Sequence, residues 1–150
     1  MPTPFKRLRL LSACVLAACL GLFTSGSAFG ESKLLINREI NTQNLDTAYL
    51  NQIFAMQVRK WPNGTPIHVF VFPSSSKLHR DFVVDQLKTQ AHQLDRIWNR
   101  MLFTGTGKPP TVVESENDMY VKILNTPGAI GYVSAAYPVK DVRVLGEKHP

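Results

Sequence analysis

Apolar residues in this chain fall into two patterns: short unbroken runs, and longer stretches with three-four spacing. The runs predict buried strands and the stretches predict one-faced helices. Leu34-Leu35-Ile36 is the first strand candidate, ending at Asn37. A helix follows from Asp46, a good N-cap, with Leu45, Tyr49, Ile53 and Met56 on one stripe flanked by Leu50 and Phe54. It must end before Pro62, where Pro62-Asn63-Gly64-Thr65 is turn chemistry. Ile67 to Phe72 is apolar on both faces and predicts a central strand covered on each side, closed by Pro73. Ser74-Ser75-Ser76 then opens a helix that carries Leu78, Phe82, Val83 and Leu87 inward. A second helix starts near Thr89 and repeats Leu94, Ile97, Trp98, Met101 and Leu102 at helical spacing, and Thr104 to Pro110 must be a loop. Ser115, with Asp118 three residues on, marks another helix start, and Met119, Tyr120, Ile123 and Leu124 face inward. Pro127-Gly128 stops that helix, and Ile130 to Val133 and Val142 to Leu145 are strands. Gly131 in the first of these allows close backbone approach. Strands alternating with helices predict an α/β layered domain whose sheet is at least partly parallel.

The first thirty residues stand apart from this pattern. Lys6, Arg7 and Arg9 precede an apolar stretch, Leu10 to Phe23, and a small, weakly polar segment up to Gly30. That is a secretory leader over residues 1–30, with cleavage after Ala28 or Gly30, and it leaves one domain over 31–150. The apolar stretch is too short to favour a membrane span. Both cysteines, Cys14 and Cys19, lie inside it, so the processed chain has no disulfide and relies on its core. In the alternative reading, Leu16-Ala17-Ala18-Cys19 is a lipoprotein processing site and Cys19 carries lipid. Against it, Leu20 to Phe23 remains apolar after the cysteine.

Without the three cations of the leader the formal charge falls from +6 to +3. Lysines and arginines occur singly or in pairs, interleaved with acids, which predicts a solvated surface and no nucleic-acid partner. A weak general pull on anions remains.

The candidate chemistry sits where the chain passes from the Ile67–Phe72 strand into the next helix. Ser74, Ser75 and Ser76 place three hydroxyls at the positive end of a helix dipole, beside backbone N–H groups with no helical acceptor. Lys77 and Arg80 lie in the first turns and add charge. Such a turn holds a tetrahedral oxyanion without a metal or cofactor. The competing role, and the favoured one, is that the serines simply cap the helix.

Four segments stand out together: Ile53-Phe54, Trp61-Pro62-Asn63-Gly64, Trp98 through Gly105, and Thr126-Pro127-Gly128-Ala129-Ile130-Gly131-Tyr132-Val133. In this order and spacing the chain resembles, over about residues 33 to 146, the second half of a periplasmic phosphate-binding protein, and most of all the small single-lobe proteins related to that family. The resemblance implies a single lobe of type II periplasmic-binding-protein-like fold, a mixed, mostly parallel sheet flanked by helices. It also implies ligand contacts at the Ser74–Arg80 turn. The family pattern there has an arginine after the strand and then Ser-Gly-Thr; here Phe72 and Pro73 occupy the arginine region and the triplet is Ser74-Ser75-Ser76. The gripping turn of the other lobe has no counterpart in the sequence.

Other residues carry less. Trp61, Trp98 and Phe103 are expected in core or lid packing, and Tyr132 is expected to bury its ring and spend its hydroxyl on a hydrogen bond at the sheet edge. Gly105-Thr106-Gly107-Lys108 is no phosphate-cradling loop, because Leu102 and Pro109 stand where glycine and a hydroxyl residue are required. His68, His79, His92 and His149 have no metal spacing and are expected solvated or in the core. Asp81 and Asp85 are expected to face solvent. No catalytic arrangement is found, so an enzyme is not expected. Two functions remain. One is a periplasmic solute-binding-like protein recognising phosphate or a related oxyanion for an ABC uptake system, with a homodimer as a variant in which each copy supplies one wall of a cleft. The other is a ligand-free module that contacts an ABC transporter or another envelope protein.

Overall fold

The computed structural model describes residues 31–42 and 45–145. Residues 1–30, which the sequence reads as a leader and which hold both cysteines, lie outside them, as does His149. Among the described residues the elements run β1 (Ser32–Ile36), α1 (Thr47–Phe54), β2 (His68–Val71), α2 (Lys77–Asp85), α3 (Ala91–Thr104), β3 (Thr111–Val112), α4 (Glu116–Asn125), β4 (Ala129–Ser134) and β5 (Arg143–Leu145).

Local signals place most of these boundaries. Asp46 caps α1, its carboxylate accepting the Tyr49 amide at 2.7 Å. Ser115 caps α4 in the same way, accepting from the Asp118 amide at 3.0 Å, with Glu116 and Asp118 in the first turn. Gly105, in the left-handed region at φ 64, ends α3. β3 is a strand the apolar pattern does not announce. Its two residues, both exposed, are fixed by parallel pairing of Thr111 and Val112 with Phe70 and Val71.

The five strands form one mixed sheet in the order β3-β2-β4-β1-β5. The parallel pairings centre on β2, which lies between β3 and β4. β1 runs antiparallel to both β4 and β5. Neighbouring residues of central β4 point to opposite faces and separate two helical layers. A Cβ on Gly131 would sit 2.5 Å from the Met119 sulfur and 2.9 Å from an Ile123 methyl, so α4 covers that face almost in contact with the strand backbone. Tyr132, next along, packs on the opposite face against Phe54 of α1 and Phe82 of α2, its ring stacked on Phe82 at 3.8 Å.

Both tryptophans belong to this core, as their surroundings in the sequence predict. Trp61 donates its indole N–H to the Gly128 carbonyl at 2.9 Å, and Trp98 donates to the Phe54 carbonyl at 2.9 Å. Gly128 has φ 75, and a Cβ there would lie 2.0 Å from the Pro66 carbonyl oxygen, so the stop before β4 requires glycine.

α3 departs from its expected packing at one end. Leu94 and Trp98 are buried and Met101 is half-buried, but Leu102 and Phe103 are exposed. Leu102 follows Trp98 by four residues and has the right spacing to face inward; the helix simply outruns the body it packs on. Phe103 is neither core nor lid.

Candidate functional site

β2 delivers the chain through Phe72 and Pro73 to the first turn of α2. Ser76 is the N-cap residue, with extended dihedrals, yet its side chain makes no capping bond. The Ser76 amide turns back to the Pro73 carbonyl at 2.8 Å, and the Arg80 amide is the first to reach a helical acceptor, the Ser76 carbonyl at 3.2 Å. The amides of Lys77, Leu78 and His79 come before that point and have no intrahelical acceptor. One hydroxyl and three amides therefore gather at the positive end of α2. Capping, the role favoured for the serines, is not what the Ser76 hydroxyl does.

The side chains around this tip are already engaged with one another. Ser74 donates its hydroxyl to Asp95 Oδ1 at 2.5 Å, a partner on α3 that is 21 residues away. Arg80 folds back on the turn, its Nη1 donating to the Ser75 carbonyl at 2.6 Å and to the Ser74 carbonyl at 3.4 Å. Lys77 pairs with Asp81 one helical turn on. Ser75 is exposed. The structure thus brings Ser74, Ser75, Ser76 and Arg80 together and gives Lys77 a carboxylate partner of its own. Asp95 is the member that sequence reasoning missed, since nothing in the spacing ties it to the serines. Ser74, Arg80, Val84, Ala91, His92 and Asp95 line a shallow recess of about 410 Å³ between α2 and the start of α3.

Beneath the turn lies a buried polar junction. Tyr132 Oη accepts the Phe72 amide at 3.1 Å and lies 2.5 Å from His79 Nδ1. Oη can accept from the Phe72 amide and give its own proton to Nδ1, an arrangement in which His79 is a neutral ring protonated at Nε2. That Nε2 is buried with no partner. Burial holds the His79 pKa below its ordinary value of 6.5, opposed by the nearby Asp95 carboxylate and reinforced by Arg80. Burial also pushes the Tyr132 phenol well above its usual range, against a smaller opposing contribution from the Phe72 amide. The Tyr132 ring is in the core as expected; its hydroxyl sits in the interior, under α2, and not at the sheet edge.

The other candidates of the sequence disperse. His68 and His92 are exposed and His79 is core. Among the described residues no three His, Cys, Asp or Glu side chains are grouped to hold a metal ion. No helix among them is long and apolar enough to cross a membrane. The Gly105–Lys108 segment is a loop.

Comparison with known proteins supplies a frame for this geometry. The sequence model of a family described as a PBP superfamily domain matches residues 28–146. None of the curated proteins matches the sequence. Among solved structures, the fold is similar to an ABC-type phosphate transport receptor from Vibrio cholerae, with a TM-score of 0.58, 18% identity, and coverage of 75% of this chain and 44% of that one. It is also similar to PstS from Borrelia burgdorferi, with a TM-score of 0.58, 16% identity, and coverage of 87% and 56%. The chain spans about half the length of these structures, and at this identity the likeness is one of fold.

Proposed function

The chain belongs to the PBP superfamily domain family, and on that premise we propose that it is an exported solute-binding-like protein that meets a small oxyanion, phosphate or a relative, at the first turn of α2. The observation that carries this reading is the uncommitted Ser76 hydroxyl above three amides that have no intrahelical acceptor. Amides and hydroxyls fixed on a helix tip solvate an anion without reorganising. Support for the anion class comes from the Vibrio cholerae protein of similar fold, which is named as a phosphate transport receptor. Export follows from the leader pattern of residues 1–30, and an ABC uptake system is the matching partner.

The recess beside this turn is shallow and is lined by Ser74 and Arg80 but not by Ser76, and Asp95 opposes a dianion, so this reading predicts modest affinity. Thermal melting with millimolar phosphate, sulfate or molybdate tests it. A ligand at about one hundred times its dissociation constant stabilises the native state by about 2.7 kcal/mol. Asp95→Asn removes the opposing charge and should enlarge the shift. Ser76→Ala, which breaks no bond within the chain, should shrink it. Absence of any shift with all three anions, in the parent and in Asp95→Asn alike, overturns the reading.

A second reading has its own observation. Ser74 is bound to Asp95 and Arg80 is turned onto the Ser74 and Ser75 carbonyls, so the outer ring of polar groups is satisfied without a guest. A lobe that has closed its turn in this way serves as a ligand-free contact module for an envelope protein. The same melting experiment separates the two.

A further inference from the structure

The charges of this chain look evenly mixed in the sequence, but the fold does not distribute them so. No acid occurs from residue 47 to 80, nor from 96 to 113. These two stretches meet at the far end of α3. Arg59 Nη2 donates to the Thr106 carbonyl at 3.3 Å. The same guanidinium lies against Gly107, so close that a Cβ there would be 2.6 Å away. Lys60 and Lys108 adjoin these residues and are exposed, as is Arg59. Arg96, Arg100 and Phe103 follow one another at four- and three-residue spacing along the outer stripe of α3. Among the described residues the one ion pair is Lys77–Asp81, which leaves these five cations without a carboxylate.

The last turn of α3 also carries apolar surface. Phe103 is 91% exposed and Leu102 is 60% exposed. A ring so exposed is a projection, not part of a flat patch, and it offers a rigid partner little complementary surface. A projecting apolar residue that shares its end of the molecule with unpaired cations suits a deformable phase that is anionic on top and apolar beneath. We propose that the outer stripe of α3 that ends at Phe103, with Arg96 and Arg100 along it and Arg59, Lys60 and Lys108 at the loop beyond it, docks on an anionic lipid surface.

The test places a reporter at the tip. Trp61 and Trp98 are buried, so in a Phe103→Trp variant a change in emission on adding vesicles reports position 103. With phosphatidylglycerol-containing vesicles the emission should move to shorter wavelength and be quenched by bromine on the lipid acyl chains. Pure phosphatidylcholine should leave it unchanged. Arg96→Gln with Arg100→Gln should weaken binding by roughly 25-fold, about fivefold per cation, and salt near 1 M, where screening acts over about 3 Å, should release the protein. An emission that ignores anionic vesicles overturns the proposal even if the protein sediments with them through its N-terminal segment; this is the result an acidic protein partner would give. An equal response to neutral vesicles also overturns it.

Discussion

On its inner side the first turn of α2 is held by His79, Tyr132 and the Phe72 amide, all buried among Phe54, Phe82 and Trp98. On its outer side the same turn carries Ser74, Ser75, Ser76 and Arg80, half-buried or exposed and joined by bonds that water can replace. The inner contacts fix where the helix starts. The outer ones decide what, if anything, the helix tip binds. Because a bond exposed to water contributes little to stability and an unpaired buried group costs much, the outer set is free to vary while the fold stays the same. Of the departures from the phosphate-binding pattern that the sequence resembles, the Ser74-Ser75-Ser76 triplet lies on that outer side, whereas Phe72, in the region of the missing arginine, is buried.

The largest expected effect lies on the inner side. Tyr132→Phe keeps the ring stacked on Phe82 but leaves the Phe72 amide and His79 Nδ1 buried without a partner. It should destabilise the domain by about 1–3 kcal/mol, measured by denaturant melts. Ser74→Ala, which removes the half-buried hydroxyl bonded to Asp95, should cost less than about 1 kcal/mol. Equal costs for the two would erase the distinction between the sides.

A second effect links them through pH. The folded pKa of His79 lies below its ordinary value of 6.5, so the native state binds fewer protons than the unfolded state near and below that pH. The associated stability is fully present above about pH 6.5 and is lost as the pH falls toward the folded value. The melting temperature should therefore drop between pH 7 and pH 5, and the slope should flatten in His79→Gln. Asp95 on the outer side favours the charged ring, so Asp95→Asn should lower the folded pKa further and make the drop deeper, beginning at the same pH and continuing to lower pH. A slope that His79→Gln leaves unchanged would assign the acid sensitivity to other groups.

How much of this was legible in the sequence depends on range. Asp46, Ser115 and Pro127-Gly128 act on residues a few positions away, and each marks its boundary where the sequence places it. Gly131 was legible as a close approach because a glycine inside an apolar run has few other uses. The Ser74–Asp95 bond and the His79–Tyr132 junction span 21 and 53 residues, and no periodicity relates their members. β3 has no pattern of its own, being a strand only because β2 lies beside it. Leu102 and Phe103 were misread because helical spacing tells which face a residue shares and not how far along the helix the partner surface extends.

The smallest effect is the sharpest probe of the outer side. Three helices begin on a hydroxyl or carboxyl residue: Asp46 and Ser115 close a bond to the third residue on, and Ser76 does not. Removing a side chain that caps a helix typically costs about 1 kcal/mol. Ser115→Ala should show that loss in a thermal or denaturant melt, and Ser76→Ala should fall within about 0.5 kcal/mol of the parent. Matching losses at the two positions would mean that the Ser76 hydroxyl caps α2 in solution, and the helix tip would then have no free hydroxyl to offer a guest. A silent Ser76→Ala that nevertheless weakens the melting shift by phosphate would separate binding from stability at a single oxygen atom. That separation is what a ligand site requires and what a structural cap cannot produce.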